Sequence, residues 1–205
     1  MQSRLWKFWA LLLGVLLLPA LDAGVARADA IKIGHSTWVG YGPLYIAREK
    51  GFYKARGVEV ELVKVEKPTD RFPAMMAGKI DIIASTVDTA LIYMKTPDQF
   101  QYVVAIDDSN GGDGIVATKD IKTVADLKGK KVAFAQGSVS QFYLDVLLDK
   151  AGIKESDLTA IDMGPGDAGT AFVAGKVDAA VTWEPHLTKG KQSPNSGIVS
   201  ARPCA

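Results

Sequence analysis

Four short segments of the sequence carry hydroxyl, aromatic and acidic side chains that could bind a small polar molecule. They span residues 38–43, 85–88, 136–140 and 183–185, and each follows a short apolar run. Backbone N–H groups and short hydroxyls at the start of a helix suit a small polar ligand. The same hydroxyls also cap helices, which is the more common role for any single one. The pattern predicts a solute-binding cleft if the fold brings the four segments together.

Motifs for catalysis and for metal binding are missing from the sequence. Neither G-x-S-x-G nor H-E-x-x-H occurs. Two histidines, His35 and His186, and one cysteine, Cys204, are too few for a Cys/His zinc cluster or an intrachain disulfide. The acidic segment 107–114 has neither the ligand spacing of an EF-hand nor the Lys-Ser/Thr pair of a phosphate-binding loop. We therefore expect no enzyme activity, no catalytic residue, no cofactor and no bound metal.

The charge balance disfavours nucleic acid as a partner. The chain has 24 Lys and Arg residues against 23 Asp and Glu residues, for a net charge of +1. A nucleic-acid-binding protein needs a basic face, and this composition gives no electrostatic basis for one. Hydrophobic residues make up 48% of the chain and charged residues 23%, which is typical of a globular protein.

Residues 1–28 have the order of a secretory signal peptide. Two basic residues precede the apolar run 11–18, and a small-x-small cleavage site ends at Ala28. The run is too short for a spanning helix, which needs about 20 apolar residues. No cysteine follows the run, so a lipoprotein is not expected. We expect cleavage before Asp29 or Ile31 and export of the mature chain.

The rest of the chain repeats one order of elements. The motif A-G-K-[IV]-D occurs at 77–81 and again at 174–178, each time after a helical pattern and before a short apolar run. Glycine past a helix end suits a left-handed cap, and a short apolar run suits a buried strand. Each half is predicted to be β-α-β-α-β, an α/β fold with parallel sheets and helices on both faces. In such sheets ligands bind beyond the carboxyl ends of the strands, where the four segments are placed.

The repeat predicts two lobes, residues 29–106 and residues 115–186. The segment 107–114 between them consists of glycines and polar residues, so we expect a hinge crossing there. Residues 187–205 are polar and show no periodic pattern, and we expect an irregular tail.

Several motifs, taken in their order, resemble the substrate-binding proteins of ABC importers. They are S-T-W-V-G-Y-G-P-L-Y-I-A at 36–47, E-K-G-F-Y at 49–53, A-G-K-I-D at 77–81, D-S-N-G-G-D-G at 108–114, D-L-K-G-K-K-V at 126–132 and V-T-W-E-P at 181–185. The branch that the chain resembles is the nitrate/sulfonate/taurine type, which includes the related binders of thiamine-pyrimidine precursors. The resemblance covers about residues 31 to 188.

The resemblance implies a two-lobed type II periplasmic-binding-protein architecture that closes at a hinge. It implies a periplasmic monomer that delivers a small-molecule solute to an ABC permease in the membrane. Such proteins are longer and cross back to complete lobe one, so lobe one is expected to be incomplete here. Carried over by position, the ligand-binding residues are Trp38, Tyr41, Gly42, Ser85, Thr86, Ser138, Ser140, Trp183 and Glu184.

Three other functions stay open at this stage. A pyrimidine-pathway enzyme could use the same scaffold, although the export signal disfavours an enzyme of cytoplasmic metabolites. A ligand-sensing domain of a regulator is disfavoured by the same signal and by the lack of a helix-turn-helix segment. The polar ending also leaves open a truncated fragment without function.

The expected charge of the solute follows from the four segments. None of them contains Lys or Arg, whereas acidic residues lie in or near them. An amine on the solute could pair with Glu184 or an aspartate and stack on an aromatic ring. We therefore expect a zwitterionic or cationic solute, such as an amino-sulfonate or an aminopyrimidine, rather than nitrate or bicarbonate.

Overall fold

The computed structural model describes residues 29–200, which form two α/β lobes with one β-sheet each. The predicted signal peptide, residues 1–28, lies outside the described residues. Among the helices between residues 29 and 200, none combines the length and the apolar character needed to cross a membrane.

Lobe one is a three-stranded parallel sheet in which a helix follows each strand. Its strands are β1 (Ile31–His35), β2 (Val60–Lys64) and β3 (Ile82–Ile83), in the order β2-β1-β3. Its helices are α1 (Gly42–Glu49), α2 (Pro68–Met76) and α3 (Val87–Tyr93). The predicted β-α-β-α-β order is confirmed for this half.

Lobe two is a five-stranded mixed sheet in the order β6-β5-β7-β4-β8. Its strands are β4 (Asp113–Thr118), β5 (Lys131–Phe134), β6 (Thr159–Asp162), β7 (Ala179–Trp183) and β8 (Ser196–Ser200), and its helices are α4 (Val139–Ala151), α5 (Pro165–Val173) and α6 (His186–Lys191). The predicted order is confirmed for β5 to β7, which are parallel. The expectation of a purely parallel sheet is corrected at β4, which runs antiparallel to β7 and β8. The chain enters β4 from the crossing segment and not from a crossover helix, so no connection requires β4 to be parallel.

Helices cover both faces of the lobe-two sheet. Ile115 and Val116 are neighbours in β4 and therefore point to opposite faces, and both are fully buried. On one face Ile115 belongs to a core cluster with Leu144 of α4. On the other face Val116 clusters with Phe172 of α5 and Leu187 of α6. Burial on both faces explains why these strands are continuous apolar runs and do not alternate with polar residues.

The glycine of each A-G-K-[IV]-D repeat has the backbone conformation that the sequence predicts. Gly78 follows α2 and Gly175 follows α5, and φ is 68° at both. Glycine adopts this left-handed conformation without the steric penalty that a Cβ would bring. The two repeats are therefore equivalent helix ends, each of which turns the chain into a strand.

Residues 187–200 differ from the irregular tail that the sequence predicts. They continue α6 and then form β8, which pairs antiparallel with β4. Leu187 is fully buried, and a Cβ at Gly190 would lie 2.9 Å from a methyl carbon of Val116. The six residues of α6 are too few to show helical periodicity in the sequence. The expectation is thus corrected for the described part of the tail.

Residues 94–112 connect the lobes without a helix or strand. The predicted hinge 107–114 therefore overlaps the first two residues of β4, and the other lobe boundaries stay predictions. Most of the large apolar side chains that are exposed lie between residues 39 and 104, in lobe one and in the connecting segment. Leu91 of α3 is 58% exposed and Val103 of the connecting segment is 73% exposed.

Candidate functional site

A cleft of 1560 Å³ lies against lobe one and is closed on one side by lobe two. Lobe two contributes Asp113 at the start of β4, Ser138 and Val139 at the start of α4, and Trp183 at the end of β7. The volume exceeds the roughly 300–1,000 Å³ of a typical ligand site. The excess arises because the cleft continues along residues 98–106 of the connecting segment. The part that can act as a two-sided binding site is the end where both lobes meet.

Six of the nine residues predicted to bind ligand line this cleft, and three do not. Those in the lining are Trp38, Tyr41, Ser85, Thr86, Ser138 and Trp183. The fold thus brings residues from all four predicted segments to a common cavity. Contact of these residues with a ligand stays a prediction.

Gly42, Ser140 and Glu184 lie outside the lining. A Cβ at Gly42 would meet nothing within 4 Å, so no close approach requires glycine there. Ser140 is buried in the first turn of α4, where its N–H donates to Ser138 Oγ at 3.1 Å. The Glu184 carboxylate accepts from the N–H and the hydroxyl of Thr188 at 3.0 and 2.8 Å, so it caps α6. The Glu184 carboxylate is therefore engaged at the start of α6, and its pairing with an amine in the cleft stays a prediction.

Trp183 links the two lobes directly. Its indole Nε1 donates to the backbone oxygen of Thr37 at 2.7 Å, from lobe two to lobe one. The side chain is only 5% exposed. The ring therefore closes the inner end of the cleft and joins the carboxyl ends of β7 and β1.

Trp38 occupies a slot between two glycines. Its Nε1 donates to Asp107 Oδ2 at 2.9 Å, and a Cβ at either Gly40 or Gly112 would collide with the indole ring. Gly40 and Gly112 are thus needed for the position of Trp38, a role that the sequence pattern alone did not reveal. The slot holds the ring of Trp38 against the segment that connects the lobes.

The hydroxyls at the two helix starts already form hydrogen bonds at their own helix ends. Ser138 Oγ accepts from the N–H of Ser140 and donates to the backbone oxygen of Ala135 at 2.6 Å. Thr86 stands at the N-cap position of α3 and donates to Thr89 Oγ1 at 2.8 Å. Capping of a backbone N–H by the side chain is therefore observed for Ser138, whereas the Thr86 hydroxyl makes no such bond. The starts of α3 and α4 still face the cleft, where their free N–H groups favour a polar or negative ligand group.

Tyr41 lies in the cleft wall with its ring edge-on to the buried ring of His35, at 6.2 Å between the ring centroids. Burial raises the pKa of the Tyr41 phenol; the positive charge of Arg71 and a hydrogen bond with Ser36 oppose the shift, and the charge of Asp113 adds to it. The phenol therefore stays neutral and can donate a hydrogen bond. His35 Nδ1 donates to the backbone oxygen of Ser36 at 2.8 Å, since that oxygen can only accept. His35 is thus a structural histidine.

Arg71 is the cleft residue that the sequence analysis missed. It lies in α2, lines the cleft and is only 2% exposed. The expectation that the cleft lacks a cation is therefore corrected. It rested on the four loop segments, which contain no Lys or Arg, whereas Arg71 lies in a helix. Residue 71 precedes Met75 by four positions and so belongs to the apolar face of α2. A charged residue at such a position was the signal that could have found it.

Acidic side chains line another part of the cleft. Asp88, Asp107 and Asp113 all belong to the lining. The Asp113 carboxylate accepts from Ser109 Oγ at 2.5 Å. Burial raises the pKa of Asp113; the bond from Ser109 opposes the shift, and the charge of Asp88 adds to it. The cleft therefore has positive charge at Arg71 and negative charge at these carboxylates. Within residues 29–200, no group of three or more His, Cys, Asp or Glu side chains could hold a metal ion.

Two α/β lobes with a cleft between them define the class of type II periplasmic binding proteins. The chain belongs to the NMT1/THI5-like family, whose sequence profile matches residues 38–195.

Known relatives and structures agree with this assignment. A candidate aliphatic sulfonates-binding protein of Escherichia coli (strain K12) is 31% identical over 171 residues, which is 81% of this chain and 53% of that protein. The crystal structure of the periplasmic aliphatic sulphonate binding protein SsuA from Escherichia coli is 27% identical, with a TM-score of 0.63 over 83% of this chain and 60% of that one. The 4-amino-5-hydroxymethyl-2-methylpyrimidine phosphate synthase of Schizosaccharomyces pombe (strain 972 / ATCC 24843) is 25% identical over 140 residues, 68% of this chain and 40% of that protein. The chain spans about half the length of the curated relatives it matches.

Proposed function

We propose that this chain is the solute-binding component of an ABC importer, which captures a small polar solute in the cleft and delivers it to a membrane permease. The observation that carries the proposal is the cleft lined from both lobes, with Ser85 and Thr86 on one side and Ser138 and Trp183 on the other. A solute that contacts both sides favours the closed arrangement of the lobes, since it binds that arrangement better than an open one. A permease can then distinguish loaded from empty protein.

The relatives support a binding role. Two of them are named for binding aliphatic sulfonates, and they are more similar to this chain than the pyrimidine phosphate synthase is. The synthase shares the scaffold and is the reason to keep an enzyme as the second candidate. The histidines disfavour that candidate, because both ring nitrogens of His35 are within hydrogen-bond distance of Ser36 and Tyr45 and His186 is outside the cleft lining. No catalytic residue and no cofactor are part of the proposal.

We also propose that the protein is exported as a monomer to the periplasm after removal of the signal peptide. Residues 1–28 motivate this proposal through their basic start, apolar run and small-x-small site. N-terminal sequencing of the mature protein should begin at Asp29 or Ile31. A mature protein that retains Met1 would overturn the proposal.

A ligand screen tests the binding function. Purified protein is titrated calorimetrically with alkanesulfonates, taurine, nitrate, amino acids and aminopyrimidines. We expect one chemical class to bind at one site per chain, and Tyr41→Ala to weaken that binding. Phe142→Ala is the matched control, because Phe142 is a half-exposed aromatic residue of α4 outside the lining. Absence of binding by every compound, or binding that both variants leave unchanged, would refute the proposal.

A further inference from the structure

Arg71 places a guanidinium group in the wall of the cleft with part of its hydrogen-bonding capacity unused. Nη1 donates to the backbone oxygen of Val65 at 2.6 Å and approaches that of Glu66 at 3.4 Å. Nε is buried and has no hydrogen-bond partner. A guanidinium carries five N–H donors in a planar fork, so the contact with Val65 leaves donors for another acceptor. The hydrogen bonds that Arg71 makes to the backbone therefore leave some donors of its guanidinium without an acceptor.

The charge of Arg71 is not neutralised by any carboxylate within residues 29–200, since no ion pair there includes it. Its acidic neighbour in the sequence, Glu66, is engaged elsewhere. The Glu66 carboxylate accepts from the N–H and the hydroxyl of Thr37 at 2.9 and 2.6 Å and pairs with Lys64 at 2.9 Å. The buried cation thus lacks a direct counter-charge.

Burial without a counter-charge is unfavourable for a cation. Desolvation lowers the pKa of the Arg71 guanidinium, and electrostatic interaction with the nearby groups, chiefly Tyr41 and Glu66, opposes that shift. Arginine nevertheless stays protonated near neutral pH. Arg71 also lies near the N-terminus of α2, where the helix dipole adds positive potential to the positive charge of the guanidinium. Both effects favour an anion beside Arg71.

We propose that the Arg71 guanidinium binds an anionic group of the solute, such as a sulfonate or a carboxylate; this inference rests on the solute-binding function proposed above. A carboxylate or a sulfonate offers two oxygens that can accept two parallel hydrogen bonds from the guanidinium. The hydroxyls of Ser36 and Tyr41 line the same cleft and can add neutral hydrogen bonds. Asp88 and Asp113 repel a second negative charge, so the solute carries a single negative charge at the Arg71 end.

The test compares sulfonates with amines on Arg71 variants. Calorimetry measures ethanesulfonate, butanesulfonate and octanesulfonate, and the three corresponding amines, on the wild type and on Arg71→Gln, Arg71→Lys and Arg48→Gln. Arg48 is the matched control, because it is an exposed arginine paired with Glu49 at 2.8 Å. We expect Arg71→Gln to weaken binding of the best sulfonate by at least about 30-fold and Arg71→Lys to weaken it less. Arg48→Gln should leave the affinity unchanged.

A second measurement keeps the inference testable if Arg71→Gln does not fold. The Nε–H resonance of Arg71 is assigned in wild-type protein through its loss in Arg71→Lys, and it should shift on saturation with the best sulfonate. Sulfonate binding that survives Arg71→Gln within twofold, or that leaves this resonance in place, would overturn the role of Arg71 alone. If neither series binds the wild type, the solute-binding function fails together with this inference.

Discussion

Replacement of Trp183 by Phe tests whether the hydrogen bond between the lobes stabilises the closed cleft. Trp183→Phe keeps an aromatic ring at the end of β7 and removes the Nε1 donor. The backbone oxygen of Thr37, 2.7 Å away, then loses its partner from lobe two. The change acts on the contact between the lobes, whereas the strand pairing inside each lobe stays intact.

The size of the effect follows from the loss of one hydrogen bond at a partly buried carbonyl. Leaving such an acceptor without a partner costs about 1–3 kcal/mol. In an equilibrium between open and closed lobes this free energy corresponds to a shift of about 5- to 150-fold toward the open form. A solute that needs the closed form should bind more weakly by a similar factor.

Spin labels in the two lobes report the opening directly. Lys54 and Lys150 are exposed residues of lobe one and lobe two, and each can be replaced by a labelled cysteine in a Cys204→Ser background. Electron–electron distance measurements should show a longer and broader distribution for Trp183→Phe than for the parent protein. The solute affinity should fall in parallel.

Thr182→Val is the matched control for this experiment. The Thr182 hydroxyl donates to the backbone oxygen of Pro165 at 2.9 Å, a buried side-chain bond to a carbonyl that lies entirely inside lobe two. Thr182→Val should lower the stability against urea and leave the distance between the lobes unchanged. If Trp183→Phe and Thr182→Val give the same distance distribution as the parent, the bond from Trp183 does not hold the lobes together.

Three further changes test other parts of the structure. Asp162→Asn removes the ion pair from Asp162 to Lys67 of lobe one, 2.8 Å apart, and should reduce stability by about 0–1 kcal/mol because the pair is partly exposed. Burial alone would raise the pKa of Asp162, but hydrogen bonds from Lys67 and from a backbone N–H hold this pKa below its ordinary value. The stability contributed by the ion pair is therefore fully present at any pH above the ordinary pKa of an aspartate. This stability should be lost as the pH falls through the lowered pKa of Asp162. Urea titrations that give the same stability difference between wild type and Asp162→Asn at every pH would contradict this. Hydrogen bonds from Thr118, from Lys130 and from a backbone N–H lower the pKa of Asp120 to about 2. An NMR titration of Lys130→Met should show a higher value, and an unchanged pKa would contradict a contribution from Lys130. Leu144→Ala opens a cavity in the lobe-two core and should lower the free energy of unfolding by about 2–5 kcal/mol, whereas a loss as small as that of an exposed leucine in α3 would contradict the assigned core.

The sequence predicts those parts of the fold that depend on local chemistry. Gly78 and Gly175 mark equivalent helix ends because only a left-handed backbone turns the chain there, and that need is visible in residue type alone. The order of strands and helices is also predictable, because the spacing of apolar residues that indicates each element is local in the sequence. The antiparallel direction of β4 and the pairing of β8 depend on contacts distant in sequence, which no local pattern encodes.

The candidate site also has parts that local sequence predicts and parts that depend on residues distant in the sequence. The loops that meet at the cleft were predictable because the carboxyl ends of parallel strands share one edge of a sheet. The direction of the Glu184 side chain was not, since its capping of Thr188 depends on the unpredicted α6. Arg71 was missed because helical residues were considered only for packing. Its burial depends on Tyr41 and the other residues around it, which only the folded chain brings together.

Mapping the bound solute by NMR tests the two-lobed cleft most directly. The ¹H–¹⁵N spectrum is recorded with and without a saturating amount of the tightest-binding compound from the ligand screen. We predict shifts at the indole N–H groups of Trp38 and Trp183 and at the backbone N–H groups of Thr86 and Val139, on both sides of the cleft. Shifts confined to one lobe, or to residues outside the lining, would contradict capture of the solute between the lobes.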